Sequence, residues 1–254
     1  MKKITKLLLA VVLMLPQVNT AQNLDEILDN YFENTGGRAQ WEALQGIKMY
    51  AKVSQMGLEI PLEITQLKSG KQMTIINFQG QQIKQGVFDG TILWSINMMT
   101  QKAEKSDQEA TDNIKREMGD FPDPFLNYKQ KGYTAELLGT EEIDGAACYK
   151  IKLTKKPLII DGQEVENISF YFFDMDNFVP IAVQSEIKVG AAKGQMSEIK
   201  MSDYQEVEGY YFPFSMIQGL KGQEGQAISF DQIEINPQVN DSEFTFPEDP
   251  SGSN

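Results

Sequence analysis

From Ile47 onward the chain alternates. Ile47-Lys48-Met49-Tyr50-Ala51-Lys52-Val53 and Tyr149-Lys150-Ile151-Lys152-Leu153 carry apolar side chains at every second position. A period of two buries one face of an extended strand and wets the other, and no helix satisfies it. Leu62-Glu63-Ile64, Met73 to Phe78, Gln82 to Phe88 and Ile92 to Ile96 around Trp94 continue the pattern. Asp89-Gly90, Asp144-Gly145 and Asp161-Gly162 supply turns between strands. Ile168 to Phe173 is apolar on both faces, as for a strand covered on two sides. Further strands are predicted near 179–187, 195–204, 210–217 and 227–235. In the last, Ile228 and Phe230 share one parity while Ile233 and Ile235 share the other, which predicts a bulge. About ten strands in serial hairpins predict a mainly β (α+β) fold built on one large antiparallel sheet, and a sheet that large must curl.

Two segments depart from this period. Residues 23–34 place Leu24, Ile27, Leu28, Tyr31 and Phe32 at helical spacing after Asn23, a good N-cap, and Thr35-Gly36-Gly37 ends the run. A short helical piece from Arg38 to Leu44 carries Trp41. Residues 103–120, with Ala110, Ile114 and Met118 four apart among charges, predict a solvated amphipathic helix. Phe121-Pro122-Asp123-Pro124-Phe125-Leu126 follows as an irregular apolar segment. The helices are expected to cover the concave side of the sheet.

The amino terminus has another character. Lys2, Lys3 and Lys6 precede the apolar run Leu7 to Leu15, Pro16 breaks it, and Ala21-Gln22 offers a cleavage point. This is the layout of an export signal over residues 1–22, too short to span a bilayer. No cysteine follows it, so no lipid anchor is expected, and residues 23–254 are read as one periplasmic domain.

Composition then removes whole classes of chemistry. The 254 residues include no histidine and one cysteine, Cys148, so Ser-His-Asp and Cys-His catalysis and a zinc site are excluded. No cofactor or metal is expected. Asp174-Met175-Asp176-Asn177 lacks the glycine and distal glutamate of a calcium loop and reads as a turn. Gly190-Ala191-Ala192-Lys193-Gly194 lacks the ending of a phosphate loop and reads as a hairpin tip. With 36 acids against 23 bases, a net charge of −13, the chain repels nucleic acid. What remains is soft apolar bulk: 14 Phe, 9 Tyr and 12 Met, a composition that suits repacking around apolar ligands as well as a core.

The carboxy-terminal run Ile235-Asn236-Pro237, then Asp241-Ser242-Glu243-Phe244-Thr245-Phe246-Pro247, resembles the end of periplasmic lipoprotein carriers of the LolA type, most nearly the lipoprotein-sorting group of Bacteroidetes-type bacteria. The helix at 23–34 before a long strand and the proline-containing segment at 121–126 are similar to that family in order. The resemblance implies an incomplete β-barrel whose concave face, closed by helices, holds the acyl chains of lipoproteins. It implies an inner-membrane release complex and an outer-membrane acceptor as partners, and a travelling monomer that is not an enzyme. The family has an arginine on an early strand that holds the lid; here the arginines are Arg38 and Arg116, neither on the first long strand. Cavity and lid candidates are Leu28, Phe32, Trp41, Tyr50, Trp94, Met98 and Phe125. Two other functions fit the same composition: an envelope sensor that binds protein through this fold, and a glycan-acting enzyme using paired carboxylates.

Overall fold

The computed structural model describes residues 23–55 and 57–247. The export signal expected at 1–22, its cleavage point and the tail at 248–254 lie outside the described residues. The chain opens with α1 (Leu24–Asn34) and α2 (Arg38–Ala43), followed by β1 (Gly46–Gln55), β2 (Leu58–Leu67), β3 (Gln72–Phe78), β4 (Gln81–Phe88), β5 (Leu93–Ile96) and β6 (Ala103–Lys105). Next come α3 (Gln108–Glu117), β7 (Thr134–Ile143), β8 (Ala146–Thr154), β9 (Leu158–Ile160) and β10 (Gln163–Val165). The carboxy-terminal part is β11 (Ile168–Asp174), β12 (Pro180–Glu186), β13 (Met196–Val207), β14 (Tyr210–Leu220) and β15 (Gln226–Ile235).

Thirteen of these strands form one antiparallel sheet in the order β6-β5-β4-β3-β2-β1-β15-β14-β13-β12-β11-β8-β7, and β9 and β10 make a separate hairpin. The sheet does not close into a barrel. The break in parity expected in the last strand is real: the β1–β15 register shifts between Tyr50 and Ala51, so Met49 faces Ile233 while Ala51 faces Phe230. That bulge keeps apolar side chains on one side of a bent strand.

The amino-terminal helix is built as its residues predict. The Asn23 side chain accepts from the Glu26 N–H at 2.8 Å, and Ile27, Leu28, Tyr31 and Phe32 are buried. The expected helix over 103–120 is shorter. Ala103–Lys105 pair with β5 as an edge strand, Lys105 opposite Trp94, and Asp107 then caps α3 by accepting from the Ala110 N–H at 2.7 Å. An acceptor side chain at Asp107 starts the helix there, and Ala103–Lys105 complete the sheet instead.

Both faces of the sheet carry apolar clusters. On the helix-covered, concave side α1, α2 and residues 121–133 pack against β7, β8, β11, β14 and β15. On the outer side of β3, β4 and β5 a second cluster forms from Met73, Ile75, Val87 and Trp94 with Phe244. The Phe-x-Phe ending is therefore a cover for the outer face. Trp94 Nε1 donates to the Phe244 carbonyl at 2.9 Å, Lys84 Nζ to the Glu243 carbonyl at 2.6 Å, and Lys105 lies over the Phe246 ring.

Candidate functional site

The concave face can be followed strand by strand, because residues directly opposite in an antiparallel pair point to the same side. Three apolar rows run across it. Ile83 faces Ile76, Ile76 faces Leu62, Leu62 faces Ala51, and Ala51 faces Phe230. Ile60 faces Val53, Val53 faces Ile228, Ile228 faces Met216, and Met216 faces Met201. Ile199 faces Val183, Val183 faces Tyr171, Tyr171 faces Ile151, and Ile151 faces Leu137. Tyr171, Ile151 and Leu137 belong to the helix-covered cluster, which fixes the side on which the rows lie. Val53, Ile60, Leu62, Ile76, Val183, Ile199, Met201, Met216 and Ile228 are only half-buried. The concave wall is thus apolar across eleven strands and incompletely covered.

What covers it is helical and aromatic. Tyr31 of α1 meets the edge of Phe173 at 5.3 Å. Trp41 of α2 packs edge-on against Tyr210 and Phe212, each at 5.5 Å, and donates from Nε1 to the Thr35 carbonyl at 3.1 Å. Phe125 sits on Tyr171 at 4.7 Å and Phe173 at 5.5 Å. The helix α3 touches β5 near one end of the sheet and β9 near the other, so it spans the gap that keeps the sheet from closing. Asn113 fastens it by donating to the Ile159 carbonyl and accepting from the Ile159 N–H. Between α3 and the β2–β3 turn lies a cavity of about 300 Å³ lined by Gln66, Gln72, Ile114, Met118 and Phe121 among others.

A polar seam holds this cover to the sheet. Lys155, just past β8, donates to Glu117 Oε1 at 2.9 Å and to Asp120 Oδ2 at 2.6 Å. Asn167 also donates to Glu117, and the Tyr133 hydroxyl donates to Asp120 at 2.8 Å. Burial pulls the Lys155 ammonium down, but the two carboxylates outweigh it and hold its pKa above the ordinary lysine value. Asp123 accepts from the Tyr31 hydroxyl at 2.8 Å and from the Phe125 N–H at 2.7 Å, while its carbonyl accepts from Lys131. Burial pushes the Asp123 carboxyl up, against those hydrogen bonds, and pushes the Lys131 ammonium down.

The predicted site residues divide. Leu28, Phe32, Trp41 and Phe125 come together in the helix-covered cluster. Tyr50 does not: it shares its side of β1 with Lys48 and Lys52, and its hydroxyl donates to Glu234 on the outer face. Trp94 is on that outer face too, because it pairs with Val87 and packs on Met73 and Phe244. Met98 is 58% exposed in the β5–β6 turn and lines only a shallow open groove with Ser95 and Glu104, away from the helix-covered cluster. Alternation shows that a strand has two faces without saying which is inside, and the register shift between Gln72 and Thr74 exchanges them on the way to Trp94. The rows through Met201, Met216 and Ile228 were missed at the level of residues, although their parity was readable once β1 was oriented. The Lys155 seam has no local signal, since its partners lie 35 and 38 positions away.

Cys148 is fully buried on the outer side, and burial pushes its thiol up to about 11. Among the described residues no group of His, Cys, Asp or Glu could hold a metal ion, and no helix is long and apolar enough to cross a membrane.

Three solved structures share this architecture. A domain described as an outer membrane lipoprotein-sorting protein, from Vibrio parahaemolyticus, superposes with a TM-score of 0.51 at 11% identity, covering 86% of this chain and 94% of that one. A LolA superfamily protein from Nitrosomonas europaea does so with a TM-score of 0.51 at 15% identity, over 87% of this chain and 96% of its own. A DUF1329 family protein from Desulfovibrio piger gives a TM-score of 0.51 at 13% identity, over 86% and 97%. A family model described only as "Uncharacterized protein" matches residues 125–247. No curated protein matches the sequence. The chain has a LolA-like fold.

Proposed function

We propose that this chain is a periplasmic carrier that holds the acyl chain of a lipoprotein, or of a similar lipid, against its concave face and moves it through water between membranes. The observation that carries this reading is the incompletely covered apolar wall: three inward-facing rows, mostly aliphatic and methionine side chains with Phe230 and Tyr171 among them, of which nine members are only half-buried. Burying an acyl chain is worth about 0.8 kcal/mol per CH₂, so a ~16-carbon chain gains roughly 13 kcal/mol gross. A membrane returns a similar amount, and transfer between carrier and bilayer is then close to neutral. The methionines Met201 and Met216 suit a cargo of variable shape. The chain carries its ligand without converting it, in keeping with the absence of histidine and the burial of Cys148. An inner-membrane complex that releases lipoproteins and an outer-membrane acceptor are its proposed partners.

The test is direct. Protein purified from the periplasm should yield lipid on organic extraction, identified by mass spectrometry, and should bind a fluorescent fatty acid saturably after delipidation. The substitutions Ile199→Glu and Met216→Glu should weaken that binding at least tenfold while circular dichroism stays unchanged. Absence of extracted lipid together with absence of saturable binding would refute the carrier.

A further inference from the structure

In a serial antiparallel sheet, successive turns fall alternately on two opposite borders. One border here carries the turns 68–71, 89–92, 144–145, 175–179 and 208–209; the other carries Gly57 and the turns 79–80, 97–102, 187–195 and 221–225, and beyond them the β8–β11 connection 155–167 with its β9–β10 hairpin. The first border is occupied. The Asn34 side chain donates to the Asn177 carbonyl, Gln40 to the Glu208 carbonyl, and the Tyr211 N–H to the Thr35 carbonyl, so α1 and α2 are seated on it. Away from the β9–β10 hairpin, which packs on α3, the five short turns of the second border differ from the first in two respects.

Large apolar side chains stand out from it. Leu58 is 60% exposed, Met98 58%, Met99 91% and Val189 58%, all in or beside its turns. The Met98-Met99 turn is tied by local hydrogen bonds: Asn97 Oδ1 accepts from the N–H groups of Met99 and Thr100, and the Gln101 side chain donates to the Met98 carbonyl. Its two methionines are held outward by local hydrogen bonds. The charge is also reversed. These five turns carry Lys102, Lys188, Lys193 and Lys221 against Glu224, in a chain of net charge −13, while the β8–β11 connection adds Lys155 and Lys156 against Asp161, Glu164 and Glu166. The occupied border carries Asp89, Asp144, Asp176 and Glu208 against Lys68 and Lys71. Lys188 pairs with Glu186 and Lys221 with the Gln184 side chain, while Lys102 and Lys193 are exposed.

We propose that this second border docks the protein on an anionic lipid bilayer, a proposal that rests on the carrier reading. Unbranched methionines and flanking lysines suit an acyl–headgroup boundary, where apolar side chains enter and ammonium groups stay at the phosphates. A protein partner would call for a contiguous patch rich in Tyr, Trp or Arg, and these five turns contain none. The border also leads inward. Ile60 and Ile228 lie two positions inside the starts of β2 and β15, and Val53 two inside the end of β1, so an apolar row begins directly behind the docked edge.

Co-sedimentation of the purified protein with vesicles tests this. It should bind phosphatidylglycerol–phosphatidylethanolamine vesicles at least tenfold better than phosphatidylcholine vesicles, and less well as salt rises. The double substitutions M98S/M99S and K102E/K193E, all at exposed positions, should each weaken binding at least tenfold with unchanged melting. As a second readout, tryptophan emission of Met99→Trp should shift to the blue when anionic vesicles are added. Equal binding to both vesicle types, undiminished binding of both double variants, or unshifted emission would overturn the proposal, the last two leaving a protein partner. Fatty-acid binding measured without vesicles separates this from the carrier reading: the border variants should retain it, and its loss in Ile199→Glu should leave vesicle binding intact.

Discussion

Two side chains show what single positions contribute. Thr65 lies on the outer face of β2, is 1% exposed, and its Oγ1 has no hydrogen-bond partner among the described residues. A buried hydroxyl without a partner costs about 1–3 kcal/mol, and valine has nearly the same shape without that cost. Thr65→Val is expected to stabilise the protein by about 1 kcal/mol, raising Tm by roughly 2–4 °C in calorimetry. Asp123 sets a pH dependence. Burial raises its folded-state pKa above the unfolded value. The folded protein therefore binds that proton more tightly, and the associated stability is complete below the ordinary aspartate range and lost as pH rises through the raised value. Asp123→Asn can keep the Phe125 N–H on its amide oxygen and donate from its amide nitrogen to the Tyr31 hydroxyl, and it has no proton to lose. Urea denaturation across this window should show wild-type stability falling with pH more steeply than that of Asp123→Asn. Parallel slopes would remove Asp123 as the cause.

At the scale of elements the question is what keeps α3 across the open side of the sheet. It shares little apolar surface with its neighbours, and Thr111 is its one buried side chain. Its attachment is the Asn113–Ile159 pair and the Lys155 seam, in which the Lys155 side chain is only 12% exposed. Lys155→Met would leave Glu117 and Asp120 side by side without their counter-charge. The expected cost is about 2 kcal/mol, below that of breaking a fully buried pair because both acids reach solvent. Hydrogen exchange in residues 108–117 should quicken well before the strands are affected; uniform quickening everywhere would mean that Lys155 supports the whole fold instead. These elements also mark where sequence is legible. Strands, turns, the Asn23 cap and the bulge in β15 are local, written in parity and in residues one to three positions apart. Ala103–Lys105 reads as helix because its partner, Trp94, pairs by register and not by spacing. The Phe244–Trp94 contact joins residues 150 apart, so the carboxy-terminal motif is recognisable while the face it covers is not. Lys155 reaches its two acids only after the chain has crossed the sheet.

The whole molecule is a sheet that curls without closing, and its two sides are packed differently. Outside, the carboxy-terminal segment and the Ile143–Cys148–Phe172–Ala182 cluster complete a packed layer. Inside, packing stops short. Helix α1, α2 and residues 121–133 fill the part over β7, β8 and β11 and the adjoining ends of β14, β15 and β1, while the rows from Ile60 to Met201 and from Ile83 to Phe230 continue beyond them. An apolar wall left half-covered costs stability in the empty protein, and any acyl chain laid along it recovers that cost by leaving water. Affinity should then depend on chain length more than on the headgroup. Each added methylene can contribute up to about 0.8 kcal/mol, close to fourfold in Kd, until the wall is covered end to end. Titration calorimetry with octanoate, decanoate and dodecanoate should show this rise together with a negative heat-capacity change, the thermodynamic mark of apolar burial. Affinity that stays flat with length would assign the binding to the carboxylate alone. The concave rows would then be core that the cover leaves partly open, and the carrier reading would lose its physical basis.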